Sequence, residues 1–73
     1  MKVRESIKTR LKEVRLEMKL SQIEAAKAVG VAQSTLAGYE TGDSLPSYEV
    51  LVKLCELYKT SADYLLGLDN FES

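Results

Sequence analysis

The sequence predicts an all-α fold: five short helices in one compact domain over residues 1–68, followed by a flexible tail over 69–73. Three observations predict it. Apolar residues near the N-terminus recur at steps of three and four, the spacing of a helix with one buried stripe. Serines able to cap a helix stand at Ser21, Ser47 and Ser61, each just ahead of an apolar-periodic stretch. Glycines follow three such stretches, at Gly30, Gly42 and Gly67, where a left-handed residue can end a helix.

The first helix is expected over about 4–18, with Val3, Ile7, Leu11, Val14 and Met18 as its stripe. Lys2, Arg4, Lys8, Lys12 and Lys19 lie off that stripe and read as a solvated face, while Arg10 is a secondary candidate for a phosphate contact. A second helix over 22–29 starts with a capping box: the Ser21 oxygen takes an orphan amide and Glu24 reaches back to the serine amide. Ile23, Ala26 and Val29 then recur at helical spacing, with Ala25 and Ala28 beside them, and small residues there admit a close neighbour. Gly30 turns the chain into a third helix over 33–41, which buries Leu36 and Tyr39 and stops at Gly42. Its start is poorly capped by Ala32, and Gly38 inside it costs about 1 kcal/mol relative to alanine. Asp43 to Ser47 is a loop by composition. A fourth helix over 47–58 begins with Ser47 as cap and Glu49 in its first turn. It turns Tyr48, Leu51, Leu54, Cys55 and Tyr58 inward, Cys55 as a small buried hydrophobe and not a reactive thiol. Ser61 caps a last helix over 62–66, stopped by Gly67.

Composition removes several classes of function. At 73 residues and 45% hydrophobic, the chain supports a single modest core. No apolar stretch is long enough to cross a membrane, and the charged N-terminus lacks the apolar run of a secretory signal. One cysteine and no histidine rule out an internal disulfide, and leave no basis for a metal cluster, a cofactor site or Cys/His catalysis. An enzyme is the least supported reading, since no phosphate-cradling glycine loop or carboxylate pair stands out. The compartment expected is the cytoplasm, of a bacterium or phage.

The net charge is −1, but it is unevenly spread. Residues 1–30 carry eight Lys/Arg against four Asp/Glu, and residues 31–73 carry two against seven. A molecule so divided can present one basic face to phosphate, although a screened, accidental imbalance is the competing explanation.

The stretch SQIEAAKAVGVAQSTLAGYETG, from Ser21 to Gly42, is two helices joined by a short glycine-containing turn, the helix-turn-helix unit of DNA-binding proteins. Together with Arg15, Pro46-Ser47 and the terminal DYLLG from Asp63 to Gly67, it resembles the phage-repressor family, the Cro-like or Xre-like helix-turn-helix domains. The resemblance runs from about Ile7 to Leu68 and rests on Arg15, Ser21-Gln22, Ala26, Gly30, the Gln33-Ser34-Thr35 run, Glu40 and Gly42. It implies a repressor-type five-helix domain that binds double-stranded DNA with the third helix in the major groove. It also implies a buried ion pair between Arg15 and Glu40. The chain departs from the family pattern at Lys19, where glycine is usual, and in having no lysine or arginine on the third helix, where one near Gly38 is common.

On that helix Gln33 is the expected base reader, because its amide can accept from adenine N6 and donate to N7. Ser34 discriminates less, Ala37 is placed to touch a thymine methyl, Gly38 either permits close backbone approach or is merely tolerated, and Thr35 divides between packing and phosphate. Phosphate anchoring is assigned to Gln22 at the start of the second helix and to backbone amides from Gly42 to Ser44. Ser21 serves chiefly as a cap, and Lys27 is either a phosphate contact or a solvated lysine. One recognition helix reads few base pairs, so the resemblance implies a homodimer on an inverted repeat. Tyr58, Tyr64, Leu65, Leu68 and Phe71 are the candidate dimer surface, and most would equally close the monomer core. The leading expectation is a sequence-specific transcriptional regulator, a repressor. The alternative is an antitoxin or other protein-interaction module on the same fold, binding a protein partner with weak or no DNA binding.

Overall fold

The structure, a computed structural model, describes residues 3–68. It contains five helices: α1 (Val3–Glu17), α2 (Gln22–Val29), α3 (Gln33–Thr41), α4 (Tyr48–Tyr58) and α5 (Ala62–Leu66). The flexible tail expected over 69–73, including Phe71, lies outside the described residues. The principal packing runs α1 on α3, α3 on α2, α2 on α4, α4 on α5 and α5 back on α1. Every helix contributes to the shared core: Ile7, Leu11 and Val14 from α1; Ala25, Ala26 and Val29 from α2; Leu36 and Tyr39 from α3; Leu54 and Tyr58 from α4; and Leu65 from α5. Leu11, Leu36, Leu54 and Leu65 are the largest side chains wholly removed from water.

The local stop and start signals act as their chemistry requires. Ser21 accepts from the Glu24 amide at 3.0 Å while Glu24 Oε1 accepts from the Ser21 amide at 2.8 Å, which completes the capping box. Gly30 is left-handed at φ 78° and its amide donates to the carbonyls of Ala26 and Lys27, folding α2 back so that α3 can pack beside it. Ser47 and Ser61 accept from the amides of Val50 and Tyr64. Ala32 makes no side-chain cap. Two non-glycine residues, Lys19 at φ 60° and Lys59 at φ 55°, also take the left-handed conformation to end α1 and α4. Each costs about 1–2 kcal/mol relative to a right-handed residue. Carbonyl capping offsets part of this: the amides of Leu20 and Thr60 donate to Arg15 and Cys55.

Three inward assignments are corrected. Ile23 is 62% exposed, Tyr48 is 77% exposed and Met18 is 39% exposed. At about 100° per residue, Ala25, Val29 and Ala26 share one arc of α2 with Gln22, and Ile23 stands on the far side. A run spaced strictly by three drifts around the helix, so its first member left the buried face. Ala28 is exposed at the other edge of that arc, while Ala25 lies within it. Tyr48 is the first residue of α4, and Met18 follows the last residue of α1. Cys55 is half-buried against the core, and burial, with the nearby Glu56 carboxylate, pushes its thiol up and keeps it protonated.

Candidate nucleic-acid interface

The third helix buries Leu36 and Tyr39 and leaves Gln33, Ser34 and Thr35 exposed at its N-terminal end. Thr35, expected to divide between packing and phosphate, is on the exposed side of this end. Ala37 and Gly38 are half-buried further along. Lys27 and Ser21 are exposed on and ahead of α2.

Beneath this face runs a line of polar bonds that begins in the core. Arg15 and Glu40 are each 7% exposed. Arg15 Nε donates to Glu40 Oε2 at 2.8 Å and its Nη2 donates to Oε1 at 3.0 Å, a two-pronged pair across α1 and α3. A third guanidinium hydrogen goes to the Leu20 carbonyl at 2.9 Å. The bond to Glu40 raises the Arg15 pKa above its already high ordinary value, so the charge is permanent. Gln22 Nε2 donates to Glu40 Oε1 at 3.1 Å, and Gln22 Oε1 accepts from Gln33 Nε2 at 2.7 Å. The carboxylate offers only lone pairs, so it must receive the amide nitrogen of Gln22. That turns the Gln22 oxygen toward Gln33, which must answer with its own nitrogen. The Gln33 carbonyl oxygen and its second N–H are left facing outward. Sequence reasoning named these four residues but assigned Gln22 to phosphate alone. Its place on the buried arc of α2 was the missing signal. Tyr58 lies beside the pair; its hydroxyl has no hydrogen-bond partner among the described residues. Burial, and then the Glu40 charge, push its pKa up to about 12.

The backbone clamp expected from Gly42 to Ser44 is corrected. The amides of Gly42, Asp43 and Ser44 all turn inward to the Gly38 carbonyl, at 3.1, 3.0 and 3.3 Å, and Thr41 Oγ1 donates to it as well. They close the end of α3 and do not face outward. A Cβ at residue 38 would stand 2.9 Å from Ser44 Oγ, so Gly38 makes room for this loop.

The basic side chains near that loop come from elsewhere in the sequence. Arg4 Nη1 donates to the Gly42 carbonyl at 2.9 Å, and the Lys8 stem lies across Gly42, 3.1 Å from where a Cβ would be. These α1 residues had read as a solvated face. Arg10, the secondary phosphate candidate, is committed to α5: Nη1 donates to the Tyr64 carbonyl at 2.6 Å and the guanidinium lies 4.3 Å from the Tyr64 ring centre. The Tyr64 hydroxyl donates to Glu13 at 2.9 Å. Of the candidate dimer residues, Tyr58 and Leu65 are buried in the monomer, Tyr64 is held by α1 and Leu68 is half-buried.

The arrangement is thus two short helices meeting at a left-handed glycine, the second presenting an oriented glutamine at its exposed N-terminal end. Residues 11–65 match the helix-turn-helix family. The chain belongs to that family. Its helix-turn-helix pair is similar to those of curated regulators. It is 45% identical over 58 residues to the HTH-type transcriptional regulator AnsR of Bacillus subtilis, covering 80% of this chain and 50% of the relative. It is 41% identical over 64 residues to the HTH-type transcriptional regulator ImmR of the same organism, covering 88% and 50%. It is 34% identical over 61 residues to the cryptic phage CTXphi transcriptional repressor RstR of Vibrio cholerae, covering 84% and 54%. The chain spans about half the length of these relatives. No solved structure matches it closely enough to count as a relative. No helix of the described residues is long and apolar enough to cross a membrane, and no group of their side chains is suited to hold a metal ion.

Proposed function

We propose that the protein binds double-stranded DNA sequence-specifically and regulates transcription, acting as a repressor that occludes a promoter. The observation that carries this reading is the Gln33 amide, exposed at the N-terminal end of α3 and held in one orientation through Gln22 by the buried Arg15–Glu40 pair. α3 enters the major groove with Gln33 against an adenine edge and Ser34 beside it; Ala37 reaches a thymine methyl if the helix seats deeply. Gln22 and the N-terminal end of α2 take a phosphate, with the helix dipole in favour. The names of the relatives, two transcriptional regulators and one phage repressor, support the same reading. A single α3 reads few base pairs, so two copies bind an inverted repeat, their recognition helices about 34 Å apart.

The test is selection from a randomised duplex library at about 50 and 200 mM salt, with sequencing of the retained DNA. An inverted repeat that is lost on Gln33→Ala supports the reading. No enrichment at either salt overturns it. The uncharged α3 would then favour a protein partner, as in an antitoxin, and a pull-down from the source cell would follow.

A further inference from the structure

We infer that Arg4, Lys8 and Lys12 form a cationic ridge on α1 that binds the DNA sugar-phosphate backbone beside the C-terminal end of α3; this rests on the DNA-binding reading above. The three residues are spaced by four, so they line one side of α1. Arg4 and Lys8 are tied to the end of α3 by the Arg4 bond to the Gly42 carbonyl and the Lys8 stem across Gly42. Lys8 and Lys12 together line an open groove of about 370 Å³ whose floor includes Glu40 of α3. The Glu40 charge is already matched by Arg15 in a two-pronged pair, with Gln22 on the same carboxylate, so it competes little for the lysines. Glu13 lines the same groove and accepts from the Tyr64 hydroxyl, and Glu5 sits 3.8 Å from Lys8 Nζ in an exposed pair too weak to hold the lysine against a phosphate.

The rest of the interface needs this charge. The third helix has none of its own before Glu40, the following loop adds only Asp43, and the loop amides are turned inward to Gly38. Nonspecific affinity scales with the number of phosphates neutralised. The major groove is walled by phosphates on both sides, so side chains standing just outside a helix seated in it meet backbone and not base edges. Gln22 flanks the N-terminal end of α3 in this way, and the α1 ridge flanks the other.

The test compares the full chain with Lys8→Gln/Lys12→Gln on the duplex recovered by selection, and on a random duplex, across salt. Lys53→Gln, on the outer side of α4, is the control, and thermal melts check that each variant folds. The ridge requires the slope of log affinity against log salt to fall by about 0.9 for each lysine that contacts a phosphate. Affinity should fall on both duplexes alike while the preferred sequence stays the same, and Lys53→Gln should leave the slope unchanged. Steep salt dependence in the parent with the same slope in Lys8→Gln/Lys12→Gln overturns the ridge and leaves DNA binding standing. A parent that binds neither duplex overturns both.

Discussion

Gln33 Nε2 donates to Gln22 Oε1 at 2.7 Å, and this bond has only one polarity open to it. Glu40 can only accept, so each amide behind it is turned in sequence, and the outward-facing atoms of Gln33 are set by a charge buried in the core. Gln33→Ala should cost about 1–3 kcal/mol of discrimination at one base pair. Gln22→Ala should cost about 1 kcal/mol on the same duplex, by freeing the Gln33 rotamer. The two losses should add only in part, since Gln22 acts through Gln33 as well as through its own phosphate contact. A double-mutant cycle on the selected duplex checks this, and strict additivity would mean that the glutamines work separately.

The Arg15–Glu40 pair should dominate point-mutant stability. Arg15→Ala leaves a buried carboxylate with one neutral donor, and a loss of about 3–5 kcal/mol is expected in a urea melt. Replacing both partners, as Arg15→Met/Glu40→Leu, should lose much less, because no charge is then stranded. That variant should also lose the orientation of Gln22, so it should fold well and read DNA poorly. A loss under half of a kcal/mol for Arg15→Ala would contradict the buried-pair account.

Alkaline pH should unfold the domain through Tyr58. An unfolded tyrosine releases its proton near pH 10, and the folded one holds it to about 12. Between those values the folded state carries a proton that the unfolded state has lost. The stabilisation is therefore complete below pH 10 and disappears as pH rises through 12, a change of about 2–3 kcal/mol. Tyr39, raised by burial, works in the same direction. Urea melts at several alkaline pH values should show the decline, and Tyr58→Phe should flatten most of it.

Gly38 separates two requirements, helix formation and loop closure. Gly38→Ala gains up to about 1 kcal/mol of helix propensity, but its methyl meets the Ser44 hydroxyl at 2.9 Å, a group able to rotate away. A small net stabilisation is expected, rising toward the full gain in Gly38→Ala/Ser44→Ala. Thermal melts of both variants decide it. A strongly destabilised Gly38→Ala would mean that the loop cannot yield.

The parts legible in the sequence were those with local causes. Ser21 and Glu24 are three residues apart and cap each other wherever the helix sits, and Gly30, Gly42 and Gly67 take left-handed angles for reasons contained in their own turns. Lys59 takes the same angle with no residue type to announce it. Ile23 and Tyr48 were misread because helical spacing fixes which residues share a face but not which face meets a neighbour. Arg4 and Gly42 lie 38 positions apart, and nothing local links them. The Arg15–Glu40 pair, 25 apart, was legible only through resemblance to a family.

The order of helix contacts closes on itself, from α1 through α3, α2, α4 and α5 back to α1. Such a circuit has no end member, so no helix hangs from the body by a single joint. In a linear stack the outer layer can peel while the remainder stands. Here the release of any one helix breaks its two main joints and leaves the other four around an exposed core. Native-state hydrogen exchange should accordingly find interior amides of α1, α2, α3 and α4 opening together, at one common free energy, with only the frayed turns opening sooner. The hoop also ties α1 to its far side: α5 packs on α1, so without it α1 loses part of the support on which Arg4 and Lys8 stand.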